Sequence, residues 1–146
     1  MAYVLKMEID DIRAMLAREF PQVDFIDTFH LDALRSGEVD IRLRPTDRHL
    51  RPGGTISGPS MMTLVDVAAY IVILAHLGPV ALAVTTNLNI NFLRKPGLED
   101  MICRCKLLKL GKRLAVTEAT LFSGDVDDPV AHATATYSIP PADRVL

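Results

Sequence analysis

Residues 53–78, GGTISGPSMMTLVDVAAYIVILAHLG, decide how this chain folds. Two glycines lead in, Pro59 stands where a first helical turn tolerates the loss of an N–H, and residues 61–77 are apolar on nearly every side. Ser57 or Gly58 is the expected cap, and Gly78-Pro79 ends the pattern. A helix of this composition has to be wrapped by other elements. One carboxylate, Asp66, stands in its middle. An ionised acid in such a stretch takes hydrogen bonds, shifts its pKa, or faces a cleft that water and substrate reach. The first two outcomes are structural and the third is functional, and periodicity alone leaves them even.

Outward from this helix the periods change. Residues 7–20, MEIDDIRAMLAREF, place Ile9, Ile12, Met15, Leu16 and Phe20 on one stripe before Pro21, which predicts an amphipathic helix. Phe29, Leu31 and Ala33 then alternate with polar neighbours, Ser36-Gly37 makes a turn, and residues 38–44 alternate without a break, which predicts two antiparallel strands. Residues 45–54, PTDRHLRPGG, read as a loop. After the helix, residues 84–93 put Thr86, Leu88, Ile90 and Phe92 on an expected core face and Thr85, Asn87, Asn89 and Asn91 on a polar one. Further strands are expected over residues 101–110, 114–122 and 130–139, separated by Gly111-Lys112-Arg113 and by the acidic turn GDVDDP. One antiparallel sheet covering one long helix is an α+β arrangement of the kind called hotdog. The expected organisation is a single domain over residues 1–146, with an N-terminal helix in 1–22 and the core in 23–140. A strand such as 84–93, left at an edge, is a hazard that pairing with its own counterpart in a second subunit removes.

Composition narrows the function classes. Apolar residues make up 49% of the 146 and charged residues 23%, a globular balance. The net charge of −2, with no basic recognition surface in residues 1–22, argues against nucleic acid and anionic lipid as partners. Cys103 and Cys105 point to one face of an extended segment, too far apart for ordinary disulfide geometry. The first residues carry acids where a secretory signal is apolar, and the most apolar run, residues 67–75, falls well short of the roughly 20 residues that span a bilayer. A soluble, cytoplasmic protein without a membrane segment is expected. His30, His49, His76 and His132 are scattered without ligand spacing, so no metal site is expected. There is no nucleophile elbow, phosphate loop or dinucleotide fingerprint.

The start of the central helix offers chemistry of its own. Unpaired N–H groups and the positive end of the dipole suit a thioester carbonyl or an oxyanion, and Gly58 keeps its N–H while Pro59 has none. The run GGTISGPSMMTLVDVA resembles the motif G-x-x-H-G-G-x-x-x-x-L-x-D/E of the hotdog-fold acyl-CoA thioesterases, the 4-hydroxybenzoyl-CoA thioesterase superfamily, in its phenylacetate-degradation type. The likeness continues through VTTNLNINFLRKP, LLKLGKRLAV and VAHATATYSIP in the family's order.

That resemblance implies an acyl-CoA thioesterase with no cofactor, coenzyme A entering as part of the substrate. It implies Asp66 as the catalytic acid, nucleophile or general base, supplied by one subunit to a site formed with another. It also implies Gly58 as the N–H donor to the carbonyl and Thr85 as a hydroxyl near the attacking water. Arg94, Lys112 and Arg113 fall where the family carries basic residues near the phosphates of coenzyme A; a solvated turn is the equal alternative. Ser57 stands in place of the motif histidine, Pro59 in place of its second glycine, and Arg51 where several relatives carry Asn or Gln. Ser57 retains a hydrogen-bond donor, and Arg51 is suited either to lowering the pKa of Asp66 or to gripping a substrate anion. The implied assembly is a homodimer, or a tetramer of paired dimers. A non-catalytic acyl-CoA or fatty-acid binding protein is the alternative that the missing histidine motivates, and a hotdog dehydratase, which needs a catalytic histidine, ranks last.

Overall fold

The alternation of inward and outward side chains determines how the sheet closes on the helix. The computed structural model describes residues 3–80, 82–124 and 127–141, so Asp125 and Val126 of the acidic turn lie outside the described residues. In chain order come α1 (Ile9–Glu19), β1 (Phe29–Arg35), β2 (Glu38–Leu43), α2 (Gly58–Leu77), β3 (Val84–Phe92), β4 (Met101–Leu110), β5 (Leu114–Ser123) and β6 (Ala131–Ser138). The six strands form one antiparallel sheet in the order β1-β2-β4-β5-β6-β3, which leaves β1 and β3 at its edges. This is the hotdog arrangement, with α2 as the wrapped helix.

The two surfaces fit because they differ in size. From α2, Leu64, Ile71, Ile73 and Leu74 are fully buried; from β5 and β6 the inward positions are largely Ala115, Ala119, Ala131, Ala133 and Ala135. Large helix side chains thus meet small strand side chains, which is how interiors reach close packing. Val39, Ile41 and Leu43 of β2, with Met101, Cys103 and Cys105 of β4, fill the other half of the same cluster. By length and composition α2, at 20 residues, would cross a membrane, but 72% of its apolar window is buried within the molecule, so it is a core helix. The nine-residue apolar run seen in the sequence understates the helix, because Met61, Leu64 and Val65 on its near side of Asp66 are buried too.

Two local features depart from simple periodicity. The inner face of β3 is only half covered: Leu88 and Ile90 pack against the core, whereas Thr86 is exposed and Phe92 remains 50% exposed. The strand has a neighbour, β6, on one side alone, and a register shift between Thr85 and Asn87 turns its beginning. Residues 45–54 are also less loose than their composition suggests, for a 3-10 turn at Asp47–His49 and a bridge between Leu50 and Ile56 organise them. At the far end of α2, His76 is 2% exposed and accepts the Gly37 N–H at Nε2 (2.8 Å), so its proton sits on Nδ1, facing the Val72 carbonyl at 2.7 Å. That contact fastens the β1–β2 turn, where Gly37 has φ +75°, to the C-terminal end of the helix.

Candidate active site

The N-terminus of α2 is built by hydroxyls. Ser57 is extended (φ −74°, ψ 155°) and caps the helix by accepting the Ser60 N–H at 3.2 Å. Ser60 Oγ donates to the His49 carbonyl at 3.2 Å, so in the 2.9 Å contact between the two hydroxyls the proton comes from Ser57. The Ser57 hydroxyl is therefore committed to the cap in both directions. Met61 N–H bonds the Ser57 carbonyl and Pro59 has no N–H, which leaves the Gly58 N–H as the donor of this first turn without a partner among the described residues. The Phe92 ring lies beside Gly58 on the side a side chain would take: a Cβ added there would meet Phe92 Cζ at 3.3 Å.

Around Gly58 there is a cleft of about 670 Å³, with Ile56, Met61, Phe92 and Leu93 as its apolar part and Arg51, Arg94 and Lys95 as its cationic part. Arg51 reaches it from a turn closed by Arg51 N–H to the Thr55 carbonyl, with Gly53 and Gly54 at φ +100° and +80°. Arg94 is held from the other side, where the Leu93 and Arg94 N–H groups both meet the Val130 carbonyl. Among the described residues neither arginine has a carboxylate partner. A second concavity, about 510 Å³, lies on the outer face of the sheet between Arg35, Asp40, Arg104 and Glu118. Much of its charge is already paired, Arg35 with Glu38 and Asp40, and Lys106 and His132 with Glu118.

Asp66 belongs to a different group. Its Oδ1 accepts the Thr85 hydroxyl at 2.6 Å and the Tyr137 hydroxyl at 2.7 Å, and Tyr137 also contacts the Asp66 carbonyl at 3.1 Å. Among the described residues Oδ2 has no partner. Burial pushes the Tyr137 phenol well above the ordinary tyrosine range and the neighbouring carboxylate adds to this, so the hydroxyl stays a donor. The ring is set by Tyr70 at 6.2 Å, which in turn meets Phe20 of the C-cap of α1 edge-on at 5.7 Å. The N-terminal helix thereby braces the aromatic pair behind the acid.

Arg51, Gly58 and Arg94 are brought into one cleft, whereas Asp66 and Thr85 form a second cluster. Eight residues of helix separate Gly58 from Asp66, about 12 Å along the axis and about 80° around it. Lys112 and Arg113 are exposed on the β4–β5 turn; Arg113 accepts the Ile139 N–H next to the Ser138–Val84 pairing, near the beginning of β3 and hence near Thr85. Basic groups thus flank β3 at both ends. Sequence reasoning missed Tyr137, Phe92 and Met61. The first was visible as a tyrosine in register with the inward alanines of HATATYS, a buried hydroxyl that needed a partner.

Residues 53–130 match the Thioesterase superfamily. The chain is 50% identical to a "putative thioesterase" from Silicibacter sp. TM1040, whose crystal structure superposes with a TM-score of 0.87 over 95% of this chain and 96% of that one. A "putative thioesterase, phenylacetic acid degradation-related protein" from Ralstonia eutropha JMP134 is 26% identical, with a TM-score of 0.70 over 76% of this chain and 84% of the other. A "putative esterase" of Pseudomonas aeruginosa is 28% identical over 126 residues, 86% of this chain and 92% of its own. With more than half of its length inside the matched region, and with the wrapped-helix fold those structures share, this chain belongs to the Thioesterase superfamily and is a thioester hydrolase.

Proposed function

We propose that the protein hydrolyses an acyl-CoA or a closely related thioester to the free acid and the thiol, with Asp66 as the catalytic acid and no cofactor, coenzyme A entering only with the substrate. The observation that carries this reading is the state of Asp66: one oxygen is held by two hydroxyls and the other is open, beside an unpartnered strand edge. Oδ2 either attacks the thioester carbon or takes a proton from the water that does. In both routes the C–S bond breaks and the sulfur leaves as a thiolate that is then protonated; after direct attack the acyl–Asp66 anhydride is cleaved by water, which releases the acid and restores the carboxylate. The Gly58 N–H is the donor for the carbonyl oxygen as it gains charge.

Within one protomer the helix sets these two groups too far apart for Oδ2 to attack a carbonyl held by Gly58, so the reading takes a homodimer. Antiparallel pairing of β3 with its copy about its midpoint, Leu88, sets Val84 and Thr85 of one protomer against Phe92 and Asn91 of the other. Thr85 holds Asp66 and Phe92 lies beside Gly58, so Asp66 then faces Gly58 of the partner subunit. The exposed apolar side chains at the two ends of this edge, Leu82, Val84, Phe92 and Leu93, are those such pairing would cover. Arg51 and Arg94 at one end, with Lys112 and Arg113 at the other, suit the phosphates of the thiol carrier. Further pairing to a tetramer and a cytoplasmic setting complete the reading, the latter suited to the two buried free thiols of Cys103 and Cys105.

The direct test is release of free thiol from a panel of acyl-CoA substrates, aromatic and aliphatic, by the purified protein. Wild type is expected to turn over at least one of them and Asp66→Asn to abolish the release. Equal rates for the two proteins would remove Asp66 from the chemistry.

A further inference from the structure

We propose that Tyr137 is a positioning residue for the reaction, acting with Thr85 to hold one oxygen of Asp66 so that the other, Oδ2, is the one that reacts. The inference rests on the reading of Asp66 as the catalytic acid. Its observations are separate from the sequence motif: two hydroxyl donors, from β3 and β6, converge on the same carboxylate oxygen, at 2.6 and 2.7 Å.

The terminal torsion of an aspartate is broad, so an unrestrained carboxylate presents either oxygen at a range of angles. Two donors on one oxygen define the plane of the group. A half-turn merely exchanges the labels, and every allowed state leaves one oxygen held and one open. The held oxygen gives lone pairs to the two hydroxyls, while the open one keeps its own for water or for the thioester carbon.

The two donors differ in rigidity. Thr85 is exposed at the beginning of an edge strand, next to a register shift. Tyr137 is 2% exposed, lies on β6 between β5 and β3, and has its ring set against Tyr70. Its single proton is shared between Oδ1 at 2.7 Å and the Asp66 carbonyl at 3.1 Å, which ties the acid's side chain and main chain to one point. A site held from regular, buried elements keeps its geometry better than one held from an edge, so Tyr137 supplies the precision and Thr85 completes the pair. As Tyr137 touches Asp66 and not the reacting atoms, it acts through the acid.

The experiment compares steady-state kinetics on whichever acyl-CoA wild type hydrolyses, with thermal melts as a check on folding. Tyr137→Phe keeps the ring and removes the hydroxyl. A hydrogen bond to a charged group corresponds to a loss in kcat of roughly 10- to 100-fold, with KM expected within about twofold of wild type. Thr85→Val is expected to lower kcat in the same way and Thr85→Ser to restore it, a comparison that stands even if Tyr137→Phe does not fold. If Asp66→Asn abolishes turnover while Tyr137→Phe and Thr85→Val keep wild-type kcat, the positioning role is wrong and the catalytic assignment survives. If Asp66→Asn keeps wild-type turnover, both fall together.

Discussion

Complementation between two inactive variants measures whether the active site is shared. In one chain, Gly58 and Asp66 are eight helical residues apart, about 12 Å along α2. The Asp66 side chain leans back toward the helix start and recovers about 2–3 Å, leaving about 9 Å and the angular offset. A carbonyl oxygen about 3 Å from the Gly58 nitrogen, a C=O bond of about 1.2 Å and an attack distance of about 3.5 Å span less than 8 Å fully extended. For direct attack, the pair from one protomer therefore cannot serve one thioester. Asp66→Asn removes the acid, and Gly58→Pro removes the N–H at a position where helices accept proline, following an extended Ser57 that suits it. Each homodimer is expected to be inactive. When the two are unfolded, mixed in equal amounts and refolded, half of the dimers are mixed. Each mixed dimer carries one site with both changes and one with neither. The mixture should recover about a quarter of the wild-type rate by simple reassortment. Thiol release is the assay, with size measurement confirming that dimers form. A mixture as inactive as its parents, with mixed dimers demonstrably present, would refute the shared site and the distance argument with it.

Two further predictions concern the scaffold around the site. His76→Leu leaves the buried Gly37 N–H without its acceptor, and a loss of about 1–3 kcal/mol is expected in urea unfolding; a change below about 0.5 kcal/mol would show that the β1–β2 turn is fastened by something else. His49 accepts the Thr46 N–H at Nδ1 (2.9 Å), and burial first, then Arg48, holds its pKa below the ordinary 6.5. Because the folded state resists this proton, the His49 contribution is complete above pH 6.5 and is lost as the pH falls through the lower folded value. The melting temperature of wild type should therefore drop more between neutral and mildly acidic pH than that of His49→Gln, and parallel pH profiles would contradict it.

Much of the fold could be read without coordinates, because its periods are long and opposite in kind. An apolar run of helical length cannot be solvated, and strands alternating with period two supply the face that covers it. The shortfall came at β3, where Thr86 and Phe92 share the inward parity of Leu88 and Ile90 yet remain exposed. Alternation assigns a face to each side chain but is silent on how far the helix extends beneath that face. The site was legible to a lesser degree. Asp66 stood out as an acid in an apolar helix, whereas the role read for Gly58 came from the motif around it. Ser57 looked like a substitute for a missing histidine, and the structure places its hydroxyl in the cap instead.

The stretch 53–78 by itself determined that this protein has a wrapped central helix, with one acid inside it and one free N–H donor at its start, because composition and helical period are local properties. The tertiary structure alone decided what the acid touches. Tyr137 is 71 residues away from Asp66 and Thr85 is 19, and no local period relates them. The separation of Gly58 and Asp66 within one chain, by contrast, is local, for a rigid helix turns eight residues into about 12 Å of length.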